Sequence, residues 1–276
     1  MKVAGVEVRN LTPVAGGDIS EAFRGRLDGE VVFAKRHDSA PAGMFAAEAR
    51  GLDRLRVDGG PPLPRVVAVA EDGLVMEWVD SAPPTQEAAR QLGHQLAAMH
   101  RAGDVDFGAD SPGFLATIPL DNTPDFDWAT FHARRRLLPL LDAARSRGAI
   151  DAAEAAVVAR VIERLPELAG PAEPPALIHG DLWSGNLLWS ADGVVWLVDA
   201  ASSHNGHRET DLAMLALFGA PYLDDIVASY DAAYPLASGW QGRVALHQVL
   251  PLLAHAVLFG RGYGARAAAT ALAVDG

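Results

Sequence analysis

The stretch His179-Gly180-Asp181-Leu182-Trp183-Ser184-Gly185-Asn186 sits between two short apolar runs, Leu177-Ile178 and Leu187-Leu188-Trp189. A polar loop between strands sets chemistry-bearing side chains on a rigid frame. Asp181 and Asn186 are five residues apart. A carboxylate can accept the proton of an attacking hydroxyl, and an Asn oxygen can ligate Mg2+ without adding charge. The next apolar run, Val194 to Val198, reads as a strand ending at Asp199, thirteen residues after Asn186. Asp199 offers the hard anionic oxygen that Mg2+ prefers. Asp and Asn are also common turn residues. The fixed order of these groups, the Trp in the loop and the partners upstream favour phosphoryl transfer over a plain surface turn.

Upstream, the chain reads as strands with tight turns. Val3 to Val14 alternates loosely and runs to Gly16-Gly17; Ser20 to Leu27 and Glu30 to Arg36 flank Asp28-Gly29, a strong hairpin signal. Strand alternation puts Val31, Phe33 and Lys35 on one face. A helix is expected over about Pro41 to Arg56, with Pro41 in its first turn, and Gly59-Gly60-Pro61-Pro62 ends it. Pro64 to Ala70 and Gly73 to Val79 form a second strand pair. Ser81-Ala82-Pro83-Pro84 reads as a linker, and Thr85 as the N-cap of a helix to about Arg101, closed by Gly103. Helices are expected over Asp127 to Arg147, over Asp151 to Leu168, and through most of the chain after Asp211. This pattern predicts an α+β, two-lobed architecture: a β-rich part over 1–79 and a larger helical part over 80–276.

Lys35 on the inner strand face can contact phosphates, and Glu48 on the following helix can hold it. Gly16-Gly17-Asp18-Ile19-Ser20 joins two strands, and its small residues let backbone N–H groups approach phosphate. It lacks the Gly-Lys-Ser/Thr ending of a P-loop. Backbone groups of Glu77-Trp78-Val79 are placed to bond adenine. The polar run from His204 to Asp211 is expected to be a substrate-facing loop. Zinc is disfavoured there, because His204 and His207 lack a clear third ligand. Asp211 could cap the next helix or support the loop at Asp181.

These motifs resemble the fructosamine kinase (ketosamine kinase) family, within the protein-kinase-like and aminoglycoside-phosphotransferase-like fold. The resemblance covers nearly the whole chain. Beyond the residues above, it rests on Glu48-Ala49-Arg50-Gly51-Leu52, Met76-Glu77-Trp78-Val79 and Leu92 to His100. Asp127-Trp128, Gly206 to Leu215 and Leu258-Phe259-Gly260-x-Gly262-Tyr263 add to it. It implies ATP- and Mg2+-dependent phosphorylation of a sugar hydroxyl on an amine-linked ketose. By the same resemblance Asp181 is the proton acceptor, and Asn186 and Asp199 are the metal ligands. Lys35 is the phosphate-binding lysine paired with Glu48. Gly16, Gly17, Asp18 and Ser20 lie at the phosphates, and Glu77, Trp78 and Val79 at adenine. Asp127, Trp128, Trp183, His204 and His207 are candidates for the sugar-amine side. The chain departs from the family where Ala200-Ala201 replaces a usual Pro-Ala and where His204-Asn205 replaces aromatic residues. Both changes leave the acceptor open.

The formal net charge of −12 argues against a general nucleic-acid surface. Without cysteine there is no disulfide, thiol catalysis or cysteine-bound zinc. The N-terminus has no continuous apolar run, and Val249 to Gly260 is too short to span a bilayer. The expectation is a cytoplasmic protein with a small-molecule partner. The oligomeric state is not encoded in any motif. Two other functions fit parts of the pattern: an aminoglycoside or choline-like phosphotransferase, and a catalytically silent nucleotide-binding protein.

Overall fold

The computed structural model describes residues 1–14 and 20–275. Gly16, Gly17 and Asp18 therefore lie outside the described residues. The first strands are short: β1 (Lys2–Val3) and β2 (Val6–Glu7) form a hairpin, followed by β3 (Arg9–Pro13). One strand over Val3 to Val14 was expected. The chain breaks instead at Ala4-Gly5, both at positive φ, and again at Val8.

A five-stranded antiparallel sheet follows, built from β3, β4 (Glu21–Leu27), β5 (Glu30–Arg36), β6 (Val66–Ala70) and β7 (Gly73–Glu77), in the order β3-β4-β5-β7-β6. Asp28 and Gly29 both have positive φ, as the two-residue turn between β4 and β5 requires. Val32 and Ala34 bury into a small cluster with Val3, Val8 and Val75, while Phe33 packs toward the main core. Lys35 shares the Phe33 face, so strand alternation aims it inward.

Helix α1 (Met44–Arg54) packs on β6 and β7. It starts at Gly43 in the left-handed region, so Pro41 precedes the helix and is not in its first turn. Helix α2 (Gln86–Arg101) is capped as expected, Thr85 accepting the Ala88 N–H at 3.2 Å. Its C-cap is Ala102; Gly103 is instead close-packed, since a Cβ there would lie 2.0 Å from the Pro175 oxygen. The segment joining sheet to helices pairs with the region beyond the Asp181 loop through Ser81–Ser190 and Ala82 N–H to Trp189 O, 2.9 Å.

The hairpin β8 (Gly113–Leu115) and β9 (Ile118–Leu120) was not expected; these strands are only three residues long. Asp127 to Arg147 is one helical run with a π turn at Ala133–Leu137 between α3 (Trp128–His132) and α4 (Leu138–Ser146). Asp151 and Glu154 form a reciprocal capping box on α5 (Ala152–Glu163). The expected single helix to Leu168 breaks before α6 (Leu165–Leu168), where Pro166 restarts it. Strands β10 (Ala176–Ile178), β11 (Leu187–Trp189), β12 (Val195–Leu197) and β13 (His204–Gly206) frame the loop at Asp181. Four helices finish the chain: α7 (Glu209–Phe218), α8 (Leu223–Ala233), α9 (Trp240–Phe259) and α10 (Arg261–Asp275).

Among the described residues α9 alone is long and apolar enough to cross a bilayer, longer than the apolar run suggested. Of its most apolar window 61% is buried, against α4, α7 and α10, as in a core helix. One core cluster joins the two parts, with Phe45, Leu52 and Leu74 meeting Leu92, Leu182 and Leu197.

Candidate active site

The loop between β10 and β11 is held from behind by one carboxylate. Asp211, in the first turn of α7 and 0% exposed, accepts the His179 N–H at 2.8 Å and the Gly180 N–H at 2.9 Å. Burial alone would raise its pKa, but His100, whose Nε2 lies 3.2 Å away, and His179 bring it below the usual carboxylate range. His100 is in turn held by the Tyr230 hydroxyl at 2.8 Å. Of the two roles the sequence allowed, Asp211 supports the loop; Arg208 is the N-cap of α7. Gly180 is required by both conformation and space: its φ is +79°, and a Cβ would lie 2.6 Å from the Ser202 oxygen.

The loop closes on itself through Asn186. Its Nδ2 donates to the Asp181 carbonyl at 2.8 Å, and its own carbonyl accepts the Val198 N–H at 3.2 Å. With the amide N–H committed, the Asn186 Oδ1 is left as the acceptor end of the side chain. Asp181 is partly buried. Burial first, then the charges of Asp199 and Asp211, push its carboxyl up to about 8.

Asp199 follows β12 in the left-handed region, with φ 61°. A non-glycine residue there is uncommon and marks a constrained site. Its carboxylate pairs with the Lys35 ammonium, which also donates to Glu48 at 3.0 and 3.2 Å. The structure thus brings Lys35, Glu48 and Asp199 together across 164 residues of chain. Burial would lower the Lys35 pKa, yet Asp199 and then Glu48 outweigh it and raise it. One ammonium serves two carboxylates. Asp199 takes the larger share and is held low despite burial, whereas burial keeps Glu48 above its usual range.

Glu48 reaches this position because α1 docks closely on the segment after Asp199. A Cβ on Gly51 would come 1.8 Å from the Ala200 oxygen and 2.9 Å from Ser203 Oγ. Arg54, one turn on, donates to the Ser203 carbonyl at 2.8 Å. Sequence reading quoted Gly51 and His100 inside motifs without a role. Each acts through a contact with a residue more than one hundred positions away.

Of the other predicted site residues, Ser20 directly precedes β4. Glu77 ends β7, where its backbone N–H and a side-chain oxygen both bond Arg65 at 3.0 Å. Trp78 bonds Asp80 at 2.8 Å and lies under Arg24, and Val79 follows it out of the sheet. Trp183 is 38% exposed beside Asp181. The remaining four candidates depart from expectation. Asp127 spends its carboxylate on the α3 N-cap, accepting the Thr130 N–H at 2.8 Å. Trp128 is buried and stacked on His132, with ring centres 4.7 Å apart. His204 lies buried in β13 opposite Ile178, and His207 is buried next to Trp128. The run from His204 to Asp211 is therefore strand and helix start, not a substrate-facing loop. His207, Glu209 and His247 do bring three ligand atoms within 4.8 Å. Arg243 already binds the Glu209 carboxylate at 2.9 and 2.5 Å, so a cation there would compete with a guanidinium.

Known proteins share the sequence and the fold of this chain. The fructosamine kinase family model matches residues 2–273. A probable ketoamine kinase of Thermus thermophilus is 37% identical over 267 residues, spanning 95% of this chain and 94% of that protein. A probable ketoamine kinase of Enterococcus faecium is 32% identical, spanning 93% and 92%. A solved structure described as a candidate fructosamine-3-kinase from Thermobifida fusca has a TM-score of 0.90 at 47% identity, covering 99% and 95% of the two chains. The aminoglycoside phosphotransferase APH(4)-Ia, at 16% identity over 97% of this chain and 93% of its own, has a TM-score of 0.66 and shares the fold.

Proposed function

This chain belongs to the fructosamine kinase family, and from that premise we propose that it transfers a phosphoryl group from ATP to a sugar hydroxyl of a ketosamine of the fructosamine or ribulosamine type. The observation that carries the reading is the joining of Lys35, Glu48 and Asp199 in one ion-paired cluster. It accompanies Asp181 on a loop whose amides Asp211 fixes. A silent nucleotide-binding protein would have no need of Asp181 on a fixed loop.

In this reading Asp181 accepts the proton of the sugar hydroxyl. Burial first, and then the neighbouring charges of Asp199 and Asp211, make it a stronger base than an ordinary carboxylate. Lys35 holds the α- and β-phosphates, and Glu48 keeps its ammonium in place. Glu77, Trp78 and Val79 border adenine. Gly16, Gly17, Asp18 and Ser20 are assigned to phosphate binding from their sequence motif. The division at residues 79 and 80 sets the nucleotide part against the acceptor part. Asp199 and Asn186 offer hard oxygens, a donor set that suits Mg2+. Bound there, Mg2+ would neutralise phosphate charge. Trp183 borders the sugar. The compartment is the cytoplasm.

The test is ADP release with ketosamines, ribulosamines, free sugars and aminoglycosides offered in turn. Turnover of ketosamines above the rest supports the reading. Turnover of aminoglycosides alone would replace it with the related phosphotransferase, whose overall fold this chain shares.

A further inference from the structure

Five aromatic rings run outward from the Asp181 loop. Trp183 meets Phe218 edge-on with ring centres 5.9 Å apart, and Phe218 meets His255 at 5.2 Å. His255 lies 5.5 Å from Phe259 and 4.9 Å from Tyr263, which are themselves 6.0 Å apart. The rings come from four places in the chain: the loop itself, the end of α7, the last turns of α9 and the start of α10. Gly260, at φ 91°, breaks α9 from α10 and brings Tyr263 back beside His255. The His255 ring is fixed by its Nδ1 on the Pro251 carbonyl at 2.7 Å.

This strip is not core. Trp183 is 38% and Phe259 51% exposed, and Phe218, His255 and Tyr263 are half-buried. Aromatic surface left open in a row is costly unless something covers it. Its position says what covers it. Trp183, at the head of the strip, stands two residues from Asp181 on the same loop. A ketosamine has two ends: the sugar with its reacting hydroxyl, and the amine with its substituent. Its secondary amine is cationic near neutral pH, and aromatic faces attract cations.

Resting on the proposed function, we infer that the strip from Trp183 to Tyr263 receives the amine substituent of the acceptor, and that it selects substituents that are apolar or aromatic. Phe218, Phe259 and Tyr263 are then specificity-determining residues for the reaction.

The experiment compares acceptors that share one ketose and differ in the amine: N-fructosyl benzylamine against N-fructosyl glycine. The expected result is a KM about tenfold lower for the benzylamine compound. Phe259→Ala, at an exposed position, should bring the two KM values within about twofold. Phe218→Leu, which keeps the apolar volume, should remove part of the preference. Equal KM values in the wild type, or a preference that survives Phe259→Ala, would overturn the inference. Calorimetric titration of N-fructosyl benzylamine into the protein gives a readout independent of turnover. Binding that Phe259→Ala weakens, without phosphorylation of any ketosamine, would uphold the strip and reject the proposed function. Loss of the preference through a change in oligomeric mass would show that a second copy of the chain covers the strip, and would overturn the inference.

Discussion

Gly51 on α1 lies so close to Ala200 that any β-carbon would stand 1.8 Å from the Ala200 carbonyl oxygen. The residue before Ala200 is Asp199, and the residue three before Gly51 is Glu48. The contact therefore fixes the distance between the two carboxylates that share Lys35.

Gly51→Ala should push α1 away from this segment. The expected cost is about 1–3 kcal/mol of stability from overpacking, read by urea denaturation. Turnover should fall while the ADP-release KM for ATP rises, because Glu48 no longer holds Lys35. Unchanged stability and turnover would show that α1 has room the contact does not reveal.

Asp181→Asn should lower kcat by roughly 10²–10⁴, the usual worth of a placed general base. ATP binding, measured by titration, should be kept. Near-normal kcat would remove Asp181 from proton transfer. Asp199→Ala should instead raise the Mg2+ concentration needed for half-maximal turnover and weaken ATP binding; an unaltered Mg2+ titration would count against it as a ligand.

Asp211→Ala leaves the His179 and Gly180 N–H groups without their buried acceptor and strands His100. A loss of about 2–6 kcal/mol is expected from two buried N–H groups left without an acceptor, with a drop in kcat from a loosened loop. A stable, fully active variant would mean the loop is held by other contacts.

Stability should fall as the solution is acidified. Burial pushes His132, His179, His204 and His207 below the ordinary value of 6.5, His204 to about 3. In the unfolded chain these rings take up protons below about pH 6.5, while the folded chain keeps them neutral. The unfolded state then binds more protons, so stability present above pH 6.5 is lost toward pH 3. Each ring contributes up to about 1.4 kcal/mol per pH unit. Denaturation midpoints should drop steeply from pH 7 to pH 5, and His204→Gln should reduce the slope by about one proton. A flat profile over that range would contradict the burial of neutral histidines.

Much of the fold was legible because local signals agreed with it: Asp28-Gly29 as a hairpin turn, Thr85 as a cap, alternation aiming Lys35 inward. Lys35, Asp181, Asn186 and Asp199 could be singled out because each lies on or beside an element that a short pattern defines, with Glu48 inside the helix that follows Lys35. What was illegible depends on distance in the chain. Nothing near Gly51 announces Ala200, and nothing near His100 announces Asp211 or Tyr230. His204 and His207 misled because a polar run reads as a loop, whereas their rings bury against Phe131 and Trp128. Asp127 looked chemical and is a helix cap.

The central claim is that the acceptor is a ketosamine. The most direct measurement is 31P NMR of the product after incubation with ATP, Mg2+ and a fructosamine or ribulosamine. A ketosamine kinase yields a new sugar-phosphate resonance that grows with ADP and is absent with Asp181→Asn. Formation of ADP with only inorganic phosphate, or a phosphate ester only when an aminoglycoside is supplied, would contradict it.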